Sequence, residues 1–322
     1  MQRLPDVDAQ AIEAVLRRAF GDATSPSFSR TLEGVSAQVY RVQRGDEVFY
    51  LRIAEEAGQD LRVDAELWAE LRRRGVSVPE AVFVDALDAG LGRSVLLMTE
   101  IPGAPLASHL RADHAAEVAR AAGRDLARLN QVPVEGFGWV ERDRPHVAGA
   151  PLRARRPDYA DFVVAYLPAP WPGWLDRRFA ADEIAAIEAS LAVERATARP
   201  LGRLAHGDFD AEQIFCRDGR YTGMIDLGEI RGAEPLFDLG HFFLWHGDDP
   251  DGAGRLLAPL CAGYHEVAPL PADHEVALRR SALLLGLRQL CLWIDGRRQL
   301  PLDHPAVVRR LRRLREIVRE TA

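Results

Sequence analysis

The chain has 322 residues, 48% hydrophobic and 28% charged, with a formal net charge of −7. Such a length and composition suit a globular protein with core enough for two lobes, and the acidic balance argues against a nucleic-acid partner. All 41 basic residues are arginine, which excludes a phosphate loop built on lysine and any lysine Schiff base.

Residues 1–6 carry no apolar stretch of signal-peptide type. The longest apolar run, near 282–287, is far too short to span a bilayer. Cys216, Cys261 and Cys291 stand far apart, so no disulfide or thiolate metal site is expected. The expected compartment is the cytoplasm, with no membrane partner.

Residues 6–20 predict an amphipathic helix with Ile12, Val15, Leu16 and Ala19 on one face. Strand character follows over 28–42, with Gly34 offering a turn. In 47–53, Phe49, Leu51 and Ile53 alternate with Val48, Tyr50 and Arg52, which predicts a strand. A helix over 59–73 carries Leu61, Ala65, Trp68 and Leu71. Asp64 shares the Trp68/Leu71 side, whereas Glu66 sits opposite. Two more strands read over 81–84 and 94–98, and Pro102-Gly103 then breaks the pattern. The expected division is 1–98, a linker at 99–103, and a helical part over 104–322.

Within that second part, 115–129 predicts a helix through Val118, Ala122, Leu126 and Leu129. The segment 131–180 is rich in proline and holds Trp139, Tyr159, Phe162, Tyr166, Trp171 and Trp174. Core and turn packing is the default for such aromatics, with stacking on a sugar or ring as the alternative. Helices are predicted over 239–245, 253–266, 274–294 and 304–320. The last sets Val307, Val308, Leu311, Leu314 and Val318 against Arg309, Arg310, Arg312, Arg313 and Arg315, read as a solvated basic face. His241 and His246 show no metal-ligand spacing and read as structural.

The most informative stretch is 204–226. It reads as strand, polar loop, strand, turn and strand, with Asp218-Gly219 as the hairpin turn. Asp208, Gln213 and Asp226 are thereby drawn towards one end of a small sheet. Two carboxylates and an amide oxygen make a hard-oxygen set suited to Mg²⁺. Phosphoryl transfer asks for such a set: an Asp for the substrate hydroxyl proton, then an amide and a second Asp for the metal on the nucleotide phosphates.

His206-Gly-Asp208, Gln213 five positions on, Ile225-Asp226-Leu-Gly228 and the tail to Asp238-Leu239 resemble the kinase-like aminoglycoside phosphotransferase family. The resemblance implies an α+β, two-lobed protein-kinase-like fold. It also implies Mg²⁺-dependent transfer of a phosphate from ATP or GTP to a hydroxyl of a small molecule. The acceptor would be antibiotic-like (an aminoglycoside, macrolide or cyclic peptide), or else an amino alcohol or sugar. By the same resemblance Asp208 is the catalytic residue, and Gln213 and Asp226 hold Mg²⁺. Ser36 and Arg52 bind nucleotide phosphates, Asp64 (or Glu66) holds Arg52, and backbone groups of Glu100 and Ile101 meet the purine. Asp210, Glu212 and Glu229 would receive ammonium groups of a cationic acceptor. Gln213 stands where the family has Asn, and Arg52 where it has Lys. These departures leave a nucleotide-binding pseudokinase as the alternative.

Overall fold

The computed structural model describes residues 6–21, 26–31, 38–143, 149–165, 167, 171–296 and 298–321. Gly34 and Ser36 therefore lie outside the described residues. The chain folds as mixed α+β and forms two compact units. The first comprises Met1–Gly103, Glu141–Ala150 and Thr222–Ile225, and the second holds the rest.

The first unit is a five-stranded antiparallel sheet in the order β1-β2-β3-β5-β4, carrying two helices. The strands are β1 (Ser27–Arg30), β2 (Gln38–Arg44), β3 (Glu47–Ile53), β4 (Ala81–Asp88) and β5 (Arg93–Thr99); the helices are α1 (Ala9–Phe20) and α2 (Arg62–Arg73). Asp8 caps α1 by accepting from the Gln10 N–H at 3.2 Å. The predicted alternation holds along β3: Phe49, Leu51 and Ile53 are buried and form a core with Ile12, Val15, Leu16, Val95 and Leu97. Arg52, on the other face of the central β3, lies between Val39 of β2 and Leu96 of β5. It is therefore not the edge-strand arginine that sequence alternation alone would allow.

The second unit opens with β6 (Ala104–Pro105) and α3 (Ala115–Leu129). The proline-rich segment yields β7 (Pro133–Glu135), β8 (Phe137–Val140), β9 (Leu152–Arg156), α4 (Tyr159–Val164) and α5 (Trp171–Leu175). Then come α6 (Ala181–Ala196), β10 (Gly202–Ala205), β11 (Ile214–Arg217), β12 (Arg220–Met224, of which Thr222 onward counts with the first unit) and β13 (Arg231–Ala233), followed by α7 (Phe237–His246), α8 (Leu257–Val267), α9 (His274–Ile294) and α10 (Pro305–Thr321). Strands β10, β13, β8, β9 and β7 close into a small barrel. Asp218 and Gly219 turn the β11–β12 hairpin with φ of 52° and 74°, the doubly positive geometry of a tight turn. Tyr159, Phe162 and Trp174 are buried in the core of this unit with Phe237, Leu287 and Leu314, so they are not available for stacking on a ligand.

Two features depart from the sequence reading. Helix α6 has no prediction, because its buried face carries charge: Glu183, Ser190 and Glu194 go inward with Ile187 and Leu191. Glu194 accepts from the Tyr159 hydroxyl at 2.6 Å, and Glu183 lies 3.5 Å from both Arg315 and Arg319. The arginine face of α10 is likewise not wholly solvated, since Arg310 and Arg313 are each 4% exposed. Arg310 donates to the Leu244 carbonyl at 3.0 Å and lies 4.3 Å from the centre of the Trp245 ring. Burial lowers its guanidinium pKa to about 10. No helix among the described residues is long and apolar enough to cross a membrane.

Candidate active site

In the second unit the predicted catalytic loop leaves β10 and is held from beneath by one carboxylate. Asp238, fully buried near the start of α7, accepts the backbone N–H of His206 through Oδ2 and of Gly207 through Oδ1, both at 2.9 Å. Asn130, the only asparagine in the chain, donates to Asp238 at 3.1 Å and to the Leu204 carbonyl at 2.7 Å. Gly207 turns the loop at φ +92°, where a Cβ would stand 2.0 Å from the Glu229 carbonyl oxygen. Only glycine fits there.

Asp208 follows with its side chain 49% exposed, and its Oδ1 lies 3.5 Å from His241 Nε2. His241 is buried, with Nδ1 3.1 Å from the Phe209 carbonyl and Nε2 receiving the Trp245 indole N–H at 2.9 Å. Burial lowers its pKa, outweighing the upward pull of Asp208, Asp238 and Asp210. Asp210 pairs with His246 at 3.1 Å and accepts the Glu212 N–H at 3.3 Å. Burial raises the Asp210 carboxyl, but His246 and that N–H outweigh it, and the net shift is downward.

Gln213 Oε1 is buried and meets no hydrogen-bond partner, an arrangement that costs about 1–3 kcal/mol if nothing is bound there. Asp226 is exposed and left-handed, with φ 60° and ψ 52°, at the head of the short turn Leu227–Glu229. Among the described residues no three or more His, Cys, Asp or Glu gather as a metal cluster. Glu229 pairs with Arg231 at 2.9 Å and accepts the Trp139 indole N–H at 2.8 Å. Of the three acids suggested for an ammonium, Asp210 and Glu229 thus already carry partners, while Glu212 is exposed.

In the first unit Asp64 is fully buried and meets two arginines. Arg142 holds it with two hydrogen bonds of 2.8 Å, from Nε to Oδ2 and from Nη2 to Oδ1. Arg52 Nη1 stands 4.0 Å from the same Oδ1, so Asp64 serves Arg142 first and leaves Arg52 loosely tethered. Glu66 instead accepts the Gly149 N–H at 3.4 Å. Glu100 donates its N–H to the Val48 carbonyl at 3.3 Å, and Ile101 is buried. The amide of Glu100 is thereby committed to the protein's own backbone.

Sequence reasoning did not find Arg142 or Trp245, and it read His241 as structural, in keeping with its burial. Arg142 lies 78 residues from its partner in a segment without periodicity. The helix offered a signal: Asp238, His241 and Trp245 sit at i, i+3 and i+7, one face of α7.

An antiparallel sheet unit, a mostly helical unit and a loop carboxylate whose backbone is pinned by a second carboxylate are the parts of a kinase-like fold. The family model described as the phosphotransferase enzyme family (APH) matches residues 27–278, and the chain belongs to that family. A search of curated proteins gives no match. Among solved structures, aminoglycoside phosphotransferase APH(4)-Ia matches with a TM-score of 0.68 at 17% identity, covering 98% of this chain and 100% of that one. A thermostable mutant of that enzyme, in ternary complex with AMP-PNP and hygromycin B, matches with a TM-score of 0.68 at 19% identity, covering 98% and 99%. A protein provisionally named fructosamine-3-kinase from Thermobifida fusca matches with a TM-score of 0.61 at 18% identity, covering 96% and 100%. At these identities the likeness establishes the fold.

Proposed function

We propose that this protein moves the γ-phosphate of ATP or GTP to a hydroxyl of an antibiotic-like small molecule, an aminoglycoside, macrolide or cyclic peptide. The observation that carries the reading is the loop at 206–213. There a half-exposed Asp208 follows backbone locked by Asp238, and Gln213 presents a buried oxygen without a partner. Asp208 orients the acceptor hydroxyl and takes its proton as the oxygen attacks phosphorus, while the bond to the nucleotide's leaving oxygen breaks. Gln213 and Asp226 fit Mg²⁺, which favours hard oxygens and accepts one or two protein ligands beside phosphates and water. When bound, the metal would neutralise phosphate charge. Arg52 offers a forked cation to the phosphates in place of the absent lysine, and its loose tie to Asp64 leaves it able to do so.

The likeness to a protein named fructosamine-3-kinase favours a second reading, a metabolic kinase of small amino sugars. An acceptor panel separates the two: aminoglycosides and macrolides on one side, fructosamines, amino alcohols and simple sugars on the other. Phosphate transfer to none of them, with nucleotide still bound, would instead support the pseudokinase reading.

The metal assignment has its own test. ATP with Mg²⁺ should raise the melting temperature more than ATP with a chelator. Gln213→Asn should keep that difference, because the amide oxygen remains, and Gln213→Leu should abolish it. An unchanged Mg²⁺-dependent shift in Gln213→Leu would show that the metal is held elsewhere.

A further inference from the structure

A cavity of about 370 Å³ opens in the second unit, and none of its lining residues belongs to the loop at 206–213. Its size bears on what it can hold. A bound water takes roughly 30 Å³, whereas sites for small organic ligands begin near about 300 Å³. Leu236, Tyr264 and Ala277 supply apolar wall, and the exposed Pro269 and Pro271 bring the lining to solvent. Two buried side chains of the same lining carry oxygens that no hydrogen bond satisfies among the described residues. Glu234, 7% exposed, accepts the Ser281 hydroxyl at 2.6 Å on Oε1, while Oε2 meets no partner. Asn130, 5% exposed, donates to Asp238 and to the Leu204 carbonyl, and its Oδ1 meets no partner.

The other carboxylate of the lining is already provided for. Glu194 accepts the Tyr159 hydroxyl at 2.6 Å and lies 3.7 Å from both Arg199 and Arg280. Glu234 is the one left short. Burial raises its carboxyl above the usual range, against the downward pull of the Ser281 hydrogen bond and of Arg288. Its charge is therefore costly as it stands, and a cation brought to Oε2 would stabilise it. An amide oxygen only accepts, so Asn130 Oδ1 asks for a donor as well. We propose that this cavity is a binding site for a small organic ammonium compound, its N–H groups turned to Glu234 and Asn130 and its apolar body against Leu236 and Tyr264. The site goes beyond the phosphotransferase reading, since it needs neither Asp208 nor a nucleotide.

The test uses benzylamine, which is an ammonium ion at neutral pH with a ring for its body. At about ten times its Kd it should raise the melting temperature of the whole protein by about 2 °C. Benzyl alcohol, with the same ring and no charge, should do far less. Glu234→Gln keeps an acceptor for Ser281 but removes the charge, and it should abolish the benzylamine shift. Ala277→Phe fills the cavity from α9 without touching Glu234 and should abolish the shift too; it decides the matter if Glu234→Gln does not fold. Asp208→Asn should leave the shift unchanged. A crystal soaked in benzylamine should show its nitrogen beside the Glu234 carboxylate. No shift in the wild type, a shift kept in either cavity variant, a shift lost in Asp208→Asn, or ordered water alone beside Glu234 overturns the proposal.

Discussion

Replacing Asp208 with asparagine is expected to cut turnover on the order of 10²–10⁴-fold while leaving nucleotide affinity nearly unchanged. Asparagine keeps the shape and volume of the side chain but lacks the charge that takes the hydroxyl proton. The loop should survive the change, because its geometry depends on other groups. His206 and Gly207 are tied through their backbone to Asp238, and Gly207 supplies the turn. A titration of Mg²⁺-nucleotide followed by fluorescence or heat, beside a phosphate-transfer assay, separates the two effects. Wild-type turnover in Asp208→Asn would remove Asp208 as the base.

The second large effect concerns stability. Arg142→Met keeps the length of the side chain but removes both hydrogen bonds to Asp64, which is 0% exposed. Breaking a buried pair by removing one partner costs about 3–5 kcal/mol, because the remaining charge stays desolvated. Denaturant unfolding should therefore show a loss of that order. Adding Asp64→Asn should recover much of it, since a neutral amide is far cheaper to bury. The single variant also draws Asp64 onto Arg52, now 4.0 Å away, so nucleotide affinity should fall as well. Full stability in Arg142→Met would mean that the pair is not a strut.

Much of this was legible in the sequence where a local pattern and the buried face coincide. The alternation at 47–53 and the helix at 115–129 show periodicity that burial follows, whereas the helix at 274–294 was legible by its apolar content and is buried on every side from Ser281 to Arg288. The loop at 206–213 was legible for a different reason: phosphoryl transfer constrains both the types and the spacing of its residues. Helix α6 escaped because Glu183 and Glu194 point inward to tyrosine and arginine partners, reversing the expected sign of its buried face. Arg310 and Arg313 escaped for a related reason, as each is covered through a ring and a backbone carbonyl. The Arg142–Asp64 and His241–Asp208 pairs escaped because distant segments meet, and no short-range period encodes such meetings.

The chain passes between the two units five times, at 103/104, 140/141, 150/151, 221/222 and 225/226. The unit holding Arg52 is therefore not a heritable module in the simple sense. A recombinant joined once after Gly103 inherits Asp64 but leaves Arg142 with the other parent. Its carboxylate then depends on whatever residue the new host carries at that place. Successful exchange between relatives should require that Glu141–Ala150 travel with the first hundred residues. Drift at position 142 is thereby yoked to drift at position 64, so the two sites should behave in shuffling experiments as a single unit of inheritance.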